Sequence, residues 1–158
     1  MISFIIISLY IAVIIALYGT PHSLSATYYS LNYKFTFSLI LILAVAFSFN
    51  EFMTPEKWQF LPFIFLSGIL FVGFAPDFRS DNLTDRVHTG AAIISLIASQ
   101  IWVGIVNPFA LILWSVILIY FLIKYKEQKS IKKVFENTNI KFWSEIVMLL
   151  TTFSSVAR

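Results

Sequence analysis

Residues 87–106, V-H-T-G-A-A-I-I-S-L-I-A-S-Q-I-W-V-G-I-V, run for a bilayer's depth without a formally charged side chain. A helix of that length rises about 30 Å, the thickness of a hydrocarbon core. Five more apolar runs share its character, at residues 2–18, 35–49, 60–75, 109–123 and 140–157. Each is slightly shorter, and Tyr28, Tyr29, Tyr33, Trp58 and Trp143 flank them as interfacial anchors. The spans must be helical, because open sheet edges leave backbone groups unpaired in lipid. Continuous apolar runs also lack the alternation of a barrel strand. The expected fold is all-α, a polytopic transmembrane bundle of six helices, forming one integral membrane domain over residues 1–158. The sixth run carries Lys141 and Glu145 near its start. The alternative is therefore five spans plus an interfacial C-terminal helix.

Composition points the same way. The chain is 59% hydrophobic, 12% charged and rich in aromatics, with 17 Phe, and its mean hydropathy is +0.85. A soluble domain carries roughly 25% charged residues. Cysteine is absent, which excludes a disulfide framework, a thiol nucleophile and a Cys metal site. The first run has neither a positive leader nor a small-residue cleavage site, so it reads as a structural span. Membrane lipids are the expected partners, with a membrane-protein partner or a second copy of the chain as further candidates and no nucleic acid. Cofactors are unassigned.

Breakers punctuate the runs. Gly19-Thr20-Pro21 ends the first, Thr54-Pro55-Glu56 separates the second and third, and Asn107-Pro108 forces a tight turn between the fourth and fifth. With six spans, the first, third and fifth connections share a side. That side holds Lys34, Arg79, Arg86, Lys124, Lys126, Lys129, Lys132, Lys133 and Lys141, against Lys57 and Arg158 on the other. The positive-inside rule places the charged connections in the cytoplasm and the termini outside, in a membrane such as the bacterial inner membrane. Within the fifth connection, Ile131, Val134 and Phe135 fall on one helical face. This is either a short amphipathic helix for an anionic leaflet or a solvated linker obeying the charge rule.

Charge and polarity concentrate in few places. The third connection, A-P-D-F-R-S-D-N-L-T-D-R-V-H, carries Asp77, Arg79, Asp81, Asp85, Arg86 and His88. The first supplies His22, Ser23, Ser25, Thr27, Tyr28 and Tyr29, and the start of the sixth run supplies Glu145. Ionisable groups at a membrane border cost insertion energy and are candidates for function. His22, Ser25, Tyr28, Asp77, Arg79, Asp81, Asp85, Arg86, His88 and Glu145 form the candidate ligand-binding set. His88 opens the fourth run, with Ala92, Ser95 and Ser99 on its helical face. It should look into the bundle, where it can shuttle a proton, hold a phosphate or bond a carboxylate and pin two helices.

Asp81, Asp85 and His88 align at i, i+4 and i+7, but two histidines without a paired motif make a poor metal set, so no metal is assigned. The aspartates should pair with Arg79 and Arg86, or leave one arginine free to grip a phosphate. Ser23 and Ser25 lack a nucleophile elbow and read as caps of a short interfacial helix. Glu145 needs a partner, with His88, Arg86 and Lys141 in view.

The stretches P-H-S-L-S-A-T-Y-Y, G-F-A-P-D…V-H-T-G-A-A and W-S-E resemble the six-span superfamily of damage-regulated autophagy modulators and GPI-lipid-remodelling proteins. Small bacterial and phage membrane proteins of unassigned function are similar in style. The resemblance carries over Ser25, His88, Gly90 and Glu145, and implies a theme of membrane-lipid homeostasis without a common catalytic mechanism. This chain lacks the acidic and proline residues usual in the family's first loop. Its lysines also put that loop inside, where the family places it away from the cytosol.

Binding or handling of a lipid or small amphiphile at a polar, cytoplasm-facing cavity is the leading functional expectation. A proton- or ion-coupled transporter, a membrane-embedded hydrolase and a non-catalytic subunit of a membrane complex are the alternatives. No residue is assigned a catalytic role.

Overall fold

A computed structural model describes residues 2–54 and 58–156. Among these residues the chain is all-helical, without a strand. Three segments are long and apolar enough to cross a membrane, Phe35–Met53, Asn82–Val106 and the near-continuous Pro108–Gln128. In order, the helices are α1 (Ile2–Tyr18), α2 (Thr27–Ser30), α3 (Phe35–Met53), α4 (Phe60–Phe74) and α5 (Asn82–Val106). A 3-10 turn (Pro108–Leu113) then runs into α6 (Trp114–Gln128), followed by α7 (Ile131–Asn137) and α8 (Ile140–Val156). The break at Pro55-Glu56, Ala157 and the two cations Lys57 and Arg158 lie outside the described residues.

Local chemistry sets the boundaries. Gly19, at φ 74°, turns the chain away after α1. α5 starts five residues before its apolar run because Asp81 caps it, accepting from the Leu83 and Thr84 N–H groups at 2.9 Å each. Asn107 separates α5 from Pro108, which opens the 3-10 turn without a donor to lose. Lys129 ends α6 in the left-handed region, φ 53°.

Rings tie five helices together at one end. Phe52 of α3 meets Phe65 of α4, Trp102 of α5 and Phe153 of α8, with centroids 5.4–5.6 Å apart. Phe4 of α1 reaches Phe153 at 6.3 Å. α8 therefore packs inside the bundle, with Phe142, Met148, Thr151 and Phe153 all buried. α6 is the outlying helix: it has no buried residue and leaves Val116, Leu118, Ile119 and Leu122 exposed on an apolar flank.

At the other end the connections after α1, α4 and α6 meet. The Tyr29 hydroxyl donates to Asp77 at 3.0 Å, and the Asn139 amide donates to the Thr20 carbonyl at 3.2 Å. The Phe142 N–H reaches the His22 carbonyl at 3.2 Å. Sequence placed these three connections on one side, and the fold brings them into contact.

α4 and α5 approach most closely at Gly68. A Cβ there would lie 2.0 Å from the Ser95 Oγ and 2.9 Å from the Ala91 carbonyl oxygen. The Ser95 hydroxyl uses the space, donating to the Phe65 carbonyl at 3.1 Å. Small residues at such a contact let backbones touch where lipid supplies no hydrophobic drive. Gly68→Ala should push the pair apart and cost about 1–3 kcal/mol. A thermal melt in detergent that equals wild type would show the contact to be unimportant.

Candidate functional site

The polar end is built in two layers. The inner layer is the first connection, folded over the bundle. Leu24, Ser25 and Thr27 are buried, and the Thr27 hydroxyl meets that of Tyr10 on α1. Ser23 caps the turn by accepting from the Ala26 N–H at 3.1 Å, as its position after Pro21 suggests. Beneath this cover Glu145 accepts a hydrogen bond from the Leu24 N–H. Glu145, Ser25 and Ser95 are the polar members of a small internal cavity of about 50 Å³, otherwise lined by Phe37, Leu41, Ile69, Val72, Met148 and others. The hydrogen-bond partner of Glu145 is thus a backbone donor rather than His88 or Arg86, while Lys141, the third candidate, is near enough to act on it through its charge. The Glu145 side chain satisfies the otherwise unpaired Leu24 amide at the start of the turn over residues 23–30, which accounts for an acidic residue in an apolar helix.

The outer layer is the third connection. Tyr29 is its hinge: the hydroxyl donates to Asp77 and accepts the Arg79 N–H at 2.8 Å. The Arg79 guanidinium lies 4.4 Å from the Tyr29 ring centroid, a cation–π contact. Tyr28 stands edge-on to Tyr29 with the Lys34 ammonium 5.4 Å from its ring. Burial raises the Tyr29 phenol pKa above its ordinary value, Asp77 adds to the rise, and the Arg79 N–H opposes it.

Asp81 is spent on capping, with the Thr84 hydroxyl donating to it at 2.6 Å. The bonds from the Thr84 side chain and backbone hold its carboxyl below the usual range. Asp85 is exposed, with the Thr89 hydroxyl at 3.4 Å. The expected Asp–Arg pairing does not form: among the described residues no ion pair includes Arg79 or Arg86. The carboxylates instead take hydroxyl and backbone donors, Tyr29 for Asp77, Ser80, Leu83 and Thr84 for Asp81, and Thr89 for Asp85, although Arg79 and Arg86 lie nearer in sequence to Asp77 and Asp85.

His88 is buried, as the small face of α5 predicts. Its Nδ1 lies 2.8 Å from the Ala75 carbonyl oxygen, and its ring stacks on Phe78 at 4.5 Å. A carbonyl only accepts, so Nδ1 carries the proton and donates. His88 pins the end of α4 to the start of α5 through a backbone carbonyl, not through the expected carboxylate.

His22 sits by the junction of α7 and α8. Burial lowers its pKa first, the Lys141 charge next, and that of Arg79 least, against a bond with the Thr138 backbone. No hydrogen bond joins His22, His88 and Glu145 to one another among the described residues, and no group of three His, Asp or Glu there can hold a metal ion.

Arg86 differs from its neighbours. It is exposed, bonded to nothing described, and stands at the rim of a groove between α4 and α5. Sequence reading also passed over a second polar cluster at the far end. Gln100 accepts from Trp114 Nε1 at 2.8 Å and from Thr151 at 3.0 Å, and donates to Thr152 at 3.2 Å. The Thr151-Thr152 pair, set against a lone Gln in an otherwise apolar run, was the available signal.

No family model, curated protein or solved structure matches this chain.

Glu145→Leu should leave the Leu24 N–H without an acceptor and cost about 1–3 kcal/mol. Glu145→Gln keeps a carbonyl oxygen and should retain most of that stability in a thermal melt. Equal melting of both variants and wild type would remove Glu145 from the account. A His22 pKa lowered on folding means the unfolded chain binds the proton more readily. That contribution is complete above the ordinary value of about 6.5 and is lost below it, as pH falls through the lowered folded-state value. Between pH 7.5 and 5.5, wild type should lose more melting temperature than His22→Gln; parallel curves would contradict the assignment.

Proposed function

We propose that this chain is a six-span integral membrane protein that binds a phospholipid or a similar amphiphile at its polar end. Its spans are α1, α3, α4, α5, the Pro108–Gln128 segment and α8. The Lys and Arg excess on the polar end orients it toward the cytoplasm of a bacterial-type inner membrane. One observation carries the reading: two exposed arginines, Arg79 and Arg86, border the apolar bundle with no carboxylate paired to either among the described residues. An unpaired guanidinium at headgroup depth is suited to phosphate, which it grips with two parallel N–H donors. The resemblance to a lipid-handling superfamily supports the same theme.

The natural absence of cysteine makes the topology directly testable. Single cysteines at Asn32, Ser80 and Lys133 should react with a membrane-impermeant maleimide from one side of the bilayer, and one at Thr54 from the other. Labelling of all four from the same side would contradict six spans. For the binding function, the Arg79→Gln/Arg86→Gln double variant should lose phospholipid that wild type retains through detergent exchange. Retention equal to wild type would remove the basis of the reading.

A second reading, a proton-coupled path, draws on the Glu145–Ser25–Ser95 cavity and the Gln100 cluster lying in the same bundle. A pH-gradient flux assay in proteoliposomes separates it from lipid binding, because only a path dissipates the gradient.

A further inference from the structure

The α4–α5 pair is tight on its inner side and open on its outer side. Gly68 and Ser95 bring the backbones together inside the bundle, whereas a Cβ at Gly90, one turn toward the polar end, would meet nothing within 4 Å. The result is an outward-facing groove of about 410 Å³ whose walls include Phe63, Ser67, Phe71, Gly90 and Ile94, with Arg86 at its mouth. That volume falls within the roughly 300–1,000 Å³ of small-molecule sites. From Arg86 to Ile94 the groove follows α5 for about 12 Å, from the polar end into the hydrocarbon depth.

Phe63, Phe71 and Ile94 remain more than half exposed, so the walls offer apolar surface to an occupant. Two polar groups are left over. Arg86 has no partner, and the Ser67 hydroxyl, set in an otherwise apolar wall, makes no hydrogen bond with any described residue. A charge at the mouth, a hydroxyl within and an apolar channel between describe an amphiphile with an anionic head.

Resting on the lipid-binding reading above, we infer that the α4–α5 groove is a specific site for one anionic glycerophospholipid. The phosphate would lie on the Arg86 guanidinium and one acyl chain along Gly90 between Phe71 and Ile94. Ser67 would donate to an oxygen of the lipid's ester region. The site uses no residue of the Glu145 cavity and leaves the His88–Ala75 bond intact. Gly90 therefore acquires a role its backbone does not require: it keeps the channel floor bare. A second groove, of about 510 Å³, runs along α6 against α7 and α8, but no lysine or arginine lines it, so it is the charge of Arg86 that distinguishes this site from a place for annular lipid.

Native mass spectrometry of the full chain, released from micelles doped with phosphatidylglycerol or phosphatidylcholine, tests this. Wild type should retain one phosphatidylglycerol in preference to phosphatidylcholine. Arg86→Gln should weaken that retention about tenfold, as expected for losing charge-assisted bonds to phosphate. Gly90→Leu should weaken it comparably by filling the floor, and Ile94→Trp, which narrows the channel from an exposed position, provides a second probe should Gly90→Leu melt early. Lys133→Gln removes the same charge from α7 and should retain the lipid, excluding diffuse attraction to an anionic leaflet.

If Arg86→Gln and the two groove variants bind as wild type does while the Arg79/Arg86 double variant fails, the lipid sits at the polar end outside this groove and the inference falls alone. If the groove variants fail but Arg86→Gln does not, the occupant is neutral and the anionic assignment is wrong. If wild type retains no lipid, both the inference and the lipid-binding reading are overturned.

Discussion

The close approach of α4 and α5 at Gly68 is the constraint from which the polar end hangs. Because the two backbones touch there, the connection from Ala75 to Asp81 can be short, and its residues are held rather than splayed. The same contact sets the reach of His88 to the Ala75 carbonyl and places Phe78 over the imidazole. On the outer side of this long helix pair, Gly90 faces open space and the side chains of both helices leave a groove. Lipid tails are as apolar as the side chains they would replace, so this geometry depends on packing and hydrogen bonds rather than on hydrophobic drive.

Most polar side chains inside the bundle are answered by other protein groups, with Ser3 Oγ, Trp102 Nε1 and Asn107 Oδ1 the exceptions among the described residues. Glu145 takes the Leu24 amide, Ser95 takes the Phe65 carbonyl, and Gln100 collects Trp114, Thr151 and Thr152. Each bond crosses between elements, so each also fixes a packing relation. Against that background the exposed and unbonded Arg86 stands apart. A long cationic side chain at the border can snorkel to water at little cost, yet its place at the mouth of an apolar groove makes it the group most available to a ligand.

Much of the architecture was legible in the sequence. The apolar runs located α1, α3, α4, α5, the Pro108–Gln128 segment and α8, because uninterrupted hydrocarbon leaves helices as the workable structure. The charge asymmetry grouped the three connections that the fold brings together. The small face of α5 marked His88, Ser95 and Ser99 as inward-facing. What sequence could not supply was partnership. Glu145 finds a backbone amide 121 residues away, and nothing in residue types announces a backbone donor. Asp81 and Asp85 took hydroxyls and amides within their own turns and Asp77 took the Tyr29 hydroxyl from the first connection, choices that depend on geometry rather than residue type. The resemblance singled out Gly90 but nothing in the sequence singled out Gly68, and only the packing shows that one lets helices touch while the other faces open space.

Everything proposed for the polar end turns on a lipid held there by its phosphate. The most direct measurement is a structure of the full chain in nanodiscs containing phosphatidylglycerol. Elongated density should fill the α4–α5 groove and end in a phosphate beside the Arg86 guanidinium. An Arg86 side chain folded back onto Asp85 or Asp81, with the groove holding no ordered chain, would contradict it.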